Sequence, residues 1–296
     1  MHIRKAAGNA LLPAARAWIR YSPLALGRSW LWKRLWWRAH AFRARTRFGM
    51  RVSGNTGDLI QRYLYFFGVW EPNITRWVST SLKAGDCFVD VGANIGYYTL
   101  LAAKRVGRDG KVVAIEAAPW IHAILARHVA LNRLQNVRTV MTAAAASRGR
   151  LRLYPGGADN IGSTSTVPRD RDSIEIDALP MHEILSDDEI ARIRIIKVDV
   201  EGAEPDVVRG LEPVLARLRD DAEIIMEVSP ALMAGGDASV RYIFSTMQAH
   251  GFAAFAIEND YHPEAYLEPT RFKQPVALAA DAVPAQADVI FSRRRY

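Results

Sequence analysis

The chain has 296 residues, half of them apolar and 24% charged, a composition that excludes wholesale disorder, collagen-like repeats and a disulfide scaffold. Its single cysteine, Cys87, cannot form an internal disulfide, so nothing calls for an oxidising compartment and a cytoplasmic location is expected. The net charge of +8 is uneven: residues 1–57 carry 12 bases and no acid before Asp58, while the remainder holds 27 bases against 31 acids. A basic nucleic-acid channel through the body is not what this balance suggests.

The basic segment also contains five of the eight tryptophans. Read as a helix from Trp30 to Arg45, it places Leu31, Trp32, Leu35, Trp36, Ala39 and Phe42 on one side. Lys33, Arg34, Arg38 and Arg45 fall on the other, giving an imperfect amphipathic helix. Such a stretch suits a helical cap packed on the body or a peripheral contact with anionic membrane. Nucleic acid is a third partner for a basic segment, disfavoured by the acidic body. No run of about 20 uncharged apolar residues marks a membrane span. The apolar stretch from Ala6 to Ile19, broken by Pro13 and Arg16, lacks a secretory cleavage pattern, although the Arg-rich, acid-poor composition shares features with a mitochondrial transit peptide. The expected organisation is a basic, Trp-rich extension over 1–57 followed by one domain over 58–296.

From Asp58 onward the pattern alternates between helix and strand. Helices are expected over 58–67 and 72–82, followed by a short apolar run, Cys87 to Val91, that reads as a strand buried on both faces. A glycine turn, a helix over 97–106, a strand over 112–115, a helix over 119–132 and a strand over 137–143 follow, which implies right-handed parallel crossovers. Residues 147–177 break the rhythm with a hairpin-like stretch and a polar, glycine-rich loop, the kind of insertion that tends to carry function. Strands over 193–200 and 223–228 flank a helix over 205–218. A helix over 238–250 and strands over 252–257 and 287–291 complete a sheet of about seven strands.

The segment Asp90-Val-Gly92-Ala-Asn94-Ile-Gly96 lies where a buried strand turns into a helix. There, missing side chains let the backbone approach a ligand and the helix start offers free amides. The next strand ends at Glu116, 20 residues after Gly96, where an acid can accept both hydroxyls of a nucleoside ribose. A dinucleotide fingerprint would need glycines where Asn94 and Tyr97 stand. The register favours a nucleoside with an amino-acid tail, the adenosyl compound S-adenosylmethionine, over a nicotinamide dinucleotide. Asp90 can receive the ammonium of that tail.

Lys197-Val-Asp199-Val-Glu201-Gly202-Ala-Glu204 follows the fourth strand. In an extended chain Asp199 and Glu201 point the same way, at the sheet edge where α/β proteins bind ligands. Glu227, at the end of the fifth strand, should arrive beside them. Clustered carboxylates call for a shared cation: a substrate proton, a sulfonium, Lys197 or a metal. Mg²⁺ could be held by such oxygens, but no completed ligand pattern is present and no metal is expected. Glu204 alone reads as a first-turn acid favoured by the helix dipole.

These motifs, Phe88-Val-Asp90-Val-Gly92-Ala-Asn94-Ile-Gly96-Tyr-Tyr-Thr and Ile196-Lys197-Val-Asp199-Val-Glu201-Gly202-Ala-Glu204 with Ile225-Met-Glu227, resemble the FkbM family of S-adenosylmethionine-dependent methyltransferases over roughly 58–293. The entry Gly68-Val-Trp-Glu71-Pro72 is similar too. The resemblance implies a Rossmann-like, seven-strand, mostly parallel class I methyltransferase sheet and O-methylation of a sugar, glycan or natural-product hydroxyl. It implies that Asp90, Gly92, Asn94, Gly96 and Glu116 bind cofactor and that Asp199 and Glu201 line the reaction site. Asn160 and Gly162 match a stretch the family often has. Two departures stand out: the third strand ends in Ala143 to Ala146 without an acid for the adenine amine, and the family's usual acid before strand four is replaced around Met181-His182. A general base among Asp199, Glu201, His182 and His262 would take the acceptor's proton. The competing readings are an NAD(P)-dependent oxidoreductase, opposed by the Asn94 and Tyr97 register, and a nucleic-acid methyltransferase guided by the basic arm, which lacks an Asn-Pro-Pro or Asp-Pro-Pro amine site.

Overall fold

The computed structural model describes residues 13–22, 27–36, 39–168, 170, 172–267, 272–294 and 296. Residues 1–12 and 23–26, Trp37 and Arg38 of the basic segment and Arg169 and Arg171 of the polar loop, all in segments read above, lie outside the described residues. The chain forms two compact units. One comprises residues 1–72, 158–160 and 260–271; the other comprises 73–157, 161–259 and 272–296.

In the first unit, helix α1 covers 13–21 and α2 covers Arg28–Leu35. Strands β1 (Ala41–Arg45) and β2 (Arg51–Asn55) then form an antiparallel hairpin, followed by α3 (Leu59–Phe66). The helix expected from Trp30 to Arg45 therefore ends at Leu35, and its second half is a strand. The cause is a period of two: Phe42, Ala44 and Thr46 alternate with Arg43, Arg45 and Arg47, and Phe42 is buried while Arg43 and Arg45 are exposed. Alternation of this kind fits a half-buried strand and not a helix face. Helix α3 begins at Asp58, whose carboxylate accepts the Gln61 amide at 3.0 Å, an N-terminal cap of the usual kind. Trp36 packs edge-on to Tyr63 at 5.1 Å and near-parallel to Phe66 at 6.1 Å, so part of the tryptophan-rich arm forms the core of this unit.

The second unit carries an α/β fold. Helix α4 (Pro72–Ser81) leads into β3 (Cys87–Val91), α5 (Tyr97–Val106), β4 (Lys111–Ile115), α6 (Pro119–Leu131) and β5 (Val137–Val140). After β6 (Ala143–Ala144), β7 (Gly149–Leu153) and β8 (Ile174–Leu179) come α7 (Met181–Ile184), α8 (Asp187–Arg192) and β9 (Ile193–Val198). Then follow α9 (Glu204–Leu215), β10 (Glu223–Val228), α10 (Asp237–Ala249), β11 (Ala253–Ile257), β12 (Val276–Ala277) and β13 (Ala287–Ser292). The main sheet has the order β12-β11-β13-β10-β9-β3-β4-β5. Strands β10, β9, β3, β4 and β5 are parallel, and β13 runs antiparallel between β10 and β11. This is the seven-strand, mostly parallel Rossmann-like sheet that the sequence implied, extended by the two-residue strand β12.

Every residue of β3 is buried, which explains its unbroken apolar character. Val89 and Val91 enter the core that α9 and α10 close with Val207, Leu211, Ile243 and Met247. Asp90, alternating with them, belongs to the other face, where Thr99 of α5 meets it. The third strand stops at Val140, not Ala143; Ala143 and Ala144 pair with β8 in a separate three-stranded sheet of order β6-β8-β7. The segment after the third strand thus leaves the main sheet through Met141 and Thr142 before the alanines begin.

Candidate active site

The site lies at the carboxyl ends of β3, β4 and β9 and grows from two turns packed backbone to backbone. Gly92 has φ +76°, and a Cβ there would stand 1.8 Å from the Asp199 carbonyl oxygen. Only glycine satisfies both the conformation and the approach. The Asp199 amide donates to the Val91 carbonyl at 3.0 Å, so the β3 and β9 ends are tied together just where each strand gives out. At Gly96, φ +89°, an added Cβ would meet Leu125 Cδ1 at 2.6 Å, which lets α6 pack against the start of α5.

Glu116, just past β4, folds back on the glycine turn. Its Oε2 accepts the Asn94 amide at 2.8 Å and its Oε1 accepts the Ala118 amide at 2.9 Å. Burial pushes its carboxyl up to about 7, with the two amide bonds pulling the other way. Asn94 takes φ +50°, a left-handed conformation that asparagine tolerates better than most residues, and its own Oδ1 accepts the Ile95 amide at 2.7 Å. His128 of α6, fully buried, bonds the Ile95 carbonyl through Nδ1 at 2.7 Å. This support of the turn was not legible in the sequence, since a histidine on a helix has no spacing signal.

Asp90 is 1% exposed; Thr99 Oγ1 donates to its Oδ2 at 2.6 Å. Its Oδ1 is buried with no hydrogen-bond partner among the described residues. Burial raises the Asp90 carboxyl above the ordinary range, opposed first by the charge of Lys197. A buried carboxylate oxygen left unsatisfied is costly unless a ligand completes it.

Lys197 is the register partner of Asp90 across β3 and β9. Its ammonium donates to Asp199 Oδ2 at 2.7 Å and lies 5.0 Å from the Tyr98 ring centroid. The Asp199 side chain stays 29% exposed. Glu201 does not continue the strand as expected. It takes φ +55° and is followed by Gly202 at φ +103°, so the alternation that would align it with Asp199 stops at the turn. That costly conformation for glutamate is held from both sides. Ser165 Oγ of the polar loop donates to the Glu201 carbonyl at 2.6 Å, and Glu204 accepts the amides of Val200 at 3.2 Å and Gly202 at 3.0 Å. Glu204 is thus a first-turn acid of α9 that also clamps the turn before it, and burial pushes its carboxyl up to about 7.

The β9–β10 register pairs Val198 with Met226, which sets Glu227 level with Asp199 on the next strand. Glu227 Oε1 accepts Gln286 Nε2 at 2.9 Å and Ser229 Oγ at 3.3 Å. His182 is exposed on α7; His262 belongs to the first unit and is exposed. Gly162 sits in the 3-10 turn Ile161–Ser163 of the second unit, and Asn160 is grouped with the first. No group of three or more His, Cys, Asp or Glu among the described residues is arranged to hold a metal ion.

A parallel sheet with a glycine turn after its first strand and a buried acid after its second defines a nucleoside-binding α/β protein. The profile of the methyltransferase FkbM domain matches residues 90–254, and the chain belongs to that family. It is 27% identical over 166 residues to Methyltransferase sdnD of Sordaria araneosa, covering 45% of this chain and 62% of that protein. It is 26% identical over 207 residues to the 31-O-demethyl-FK506 methyltransferase FkbM of Streptomyces tacrolimicus, covering 59% and 75%. The match thus spans less than two thirds of the Sordaria relative. Among solved structures, methyltransferase FkbM of Methylobacillus flagellatus KT aligns at 16% identity with a TM-score of 0.43, over 70% of this chain and 43% of that one.

The cofactor of such a methyltransferase is S-adenosylmethionine, and the residues present fit it. The unsatisfied Asp90 Oδ1 suits the ammonium of its amino-acid tail, and Glu116, fixed by two amides, suits ribose hydroxyls. The position where a dinucleotide site would have its third glycine is filled by Tyr97, buried and bonded to Thr75 Oγ1 at 3.0 Å.

Proposed function

We propose that the protein is an S-adenosylmethionine-dependent O-methyltransferase that acts on a hydroxyl of a sugar, glycan or natural-product acceptor. The observation that carries this reading is the buried pair of acids, Asp90 and Glu116, flanking the glycine turn, with a third, partly exposed acid, Asp199, at the adjoining strand end. The acceptor class is taken from the relatives: the Streptomyces protein is named for a 31-O-demethyl compound, and O-demethyl implies a hydroxyl.

Bound S-adenosylmethionine supplies a methyl group on a positively charged sulfur. The chain supplies alignment, worth up to about 7–11 kcal/mol where reacting groups are held in line, and a place for the hydroxyl proton. Asp90 and Glu116 hold and orient the donor, while the amides of the glycine turn are spent on the Ile115 and Ala93 carbonyls, Glu116 and Asn94, which fixes the turn itself. Lys197 occupies one oxygen of Asp199, and the other, Oδ1, carries no hydrogen bond among the described residues. Asp199 can therefore accept the acceptor's proton through Oδ1 while Lys197 fixes the carboxylate in place, a contribution of roughly 10²–10⁴-fold. Glu201, carried on the clamped turn next to it, is the second candidate base and a contact for the acceptor.

Incubation of the protein with methyl-labelled S-adenosylmethionine and a cell extract tests the reading. One labelled small molecule or glycan, with label stable to mild base as an ether is, supports it. Label confined to nucleic acid contradicts it, as does stabilisation by NAD without stabilisation by S-adenosylmethionine.

A further inference from the structure

Among the described residues, the non-glycine residues in a left-handed conformation are Glu71, Asn94, Arg133 and Glu201. Asn94 is of a type that tolerates it, and Arg133 follows the end of α6, where chains commonly turn this way. Glu201 has neither reason, and it lies two residues after Asp199 at the carboxyl edge of the sheet. A strained residue at such an edge points to function when its surroundings enforce the strain.

One enforcing group comes from 36 residues away. Ser165 is 1% exposed, and its hydroxyl has one proton to give. Oγ donates that proton to the Glu201 carbonyl at 2.6 Å and accepts the Val167 amide at 3.1 Å. The Ser165 backbone is fixed independently, by two hydrogen bonds exchanged with Tyr154 at 2.8 and 3.1 Å. Beside it, Thr164 Oγ1 donates to the Ile161 carbonyl at 2.7 Å and accepts the Gly156 amide at 3.0 Å. The base of the polar loop is thus closed by bonds that do not need the Ser165 side chain, and the hydroxyl joins that base to the Glu201 turn. The turn is also wedged by neighbours: a Cβ at Gly202 would stand 2.4 Å from the Leu232 carbonyl oxygen and 3.0 Å from Val167 Cγ2. Since Val167 supplies the amide that Ser165 Oγ accepts, one hydroxyl ties the position of Val167 to that of Glu201.

We infer that Ser165 is a positioning residue for methyl transfer. Its bond to the Glu201 carbonyl fixes the direction in which the Glu201 side chain leaves the backbone, and makes the closed polar loop a condition for a competent acceptor site. The inference rests on the methyl-transfer reading and concerns its acceptor side. The Ser165 bonds run to Tyr154, Val167 and Glu201, not to Asp90, Glu116 or the glycine turn, so donor affinity should not depend on them.

Labelling by methyl-labelled S-adenosylmethionine over a dilution series of cell extract, beside calorimetry with S-adenosylhomocysteine, tests it. Ser165→Ala should lower the labelling rate in dilute extract at least about tenfold, the scale of a small misplacement, and leave affinity for S-adenosylhomocysteine unchanged. Ser165→Thr, which keeps the hydroxyl, should recover most of the loss. In a Glu201→Gln background Ser165→Ala should cost little more, because the two changes act through one group. Backbone amide exchange in Ser165→Ala should quicken at residues 200–202 and stay as it is at 92–96. If Ser165→Ala does not fold, Ser165→Cys, similar in shape with a weaker donor, takes its place under the same criteria. Undiminished labelling, a loss fully additive with Glu201→Gln, unchanged exchange at 200–202, or an equal loss of S-adenosylhomocysteine affinity would overturn the inference alone. A wild type that neither binds S-adenosylhomocysteine nor labels any product would overturn the methyl-transfer reading and the inference with it.

Discussion

Asp90 and Lys197 are register partners on the two central strands, and Lys197 donates to Asp199, so one buried ammonium serves a buried acid and a partly exposed one. The arrangement explains how carboxylates can crowd one sheet edge. The cation they share is supplied by the chain, and Asp90 Oδ1 is buried with no hydrogen-bond partner among the described residues.

Replacing Lys197 by Met should therefore cost more than a surface ion pair would. With its side chain 8% exposed, its loss leaves Asp199 without its partner and Asp90 without its main opposing charge. A drop in stability of about 2–4 kcal/mol is expected, read from denaturant unfolding. Full retention of stability together with wild-type turnover would mean that the pair is ornamental.

Asp199→Asn should lower turnover by at least about 10²-fold with little change in affinity for S-adenosylhomocysteine, because the amide keeps the size of the side chain but loses its basicity. Wild-type turnover would remove Asp199 from the chemistry and leave Glu201 as the candidate base. A large loss of affinity instead would move Asp199 into the cofactor shell.

Glu204→Ala should destabilise the chain by about 1–3 kcal/mol, since the Val200 and Gly202 amides lose their acceptor. The strained Glu201 should relax at the same time, and acceptor KM should change more than cofactor affinity. Equal effects on both would place the turn in the cofactor site.

Burial sets Glu116 at about 7 in the free protein. Its folded value lies above the unfolded one, so the folded chain binds the extra proton between about pH 4.5 and 7. Over that window rising pH costs stability, and the cost is complete above about 7. If the ionised carboxylate is what holds the ribose, affinity for S-adenosylhomocysteine should rise with pH and be about tenfold weaker at pH 6 than at pH 8. Glu116→Gln should flatten that profile, which separates Glu116 from Glu204. A slope that persists in the variant would assign it to another group.

Much of the second unit was legible because its elements are short, strongly patterned and buried as expected. Strands 87–91 and 223–228 and helix 97–106 fall where the periodicity put them. Glu116 was findable from its interval after Gly96. The arm was misread at Ala41–Arg45 because its tryptophans suggested a helix face, while the signal that decided was the Phe42, Ala44, Thr46 alternation. Glu201 was misplaced for a related reason: period-two reasoning was carried past the strand end, although Gly202 already marked a turn. Supports such as His128 and Ser165, which bond backbone carbonyls of distant segments, and Thr99, which bonds the Asp90 carboxylate, act through three-dimensional contacts that no spacing encodes.

The central claim is that the acids around the glycine turn hold S-adenosylmethionine. Calorimetric titration of the wild type and Glu116→Ala with S-adenosylhomocysteine and with NAD tests it most directly. Wild type should bind S-adenosylhomocysteine and not NAD, and the variant should bind it about 1–3 kcal/mol more weakly, the scale for hydrogen bonds lost to a charged group. Binding of NAD alone, or an affinity unchanged in Glu116→Ala, would contradict the account.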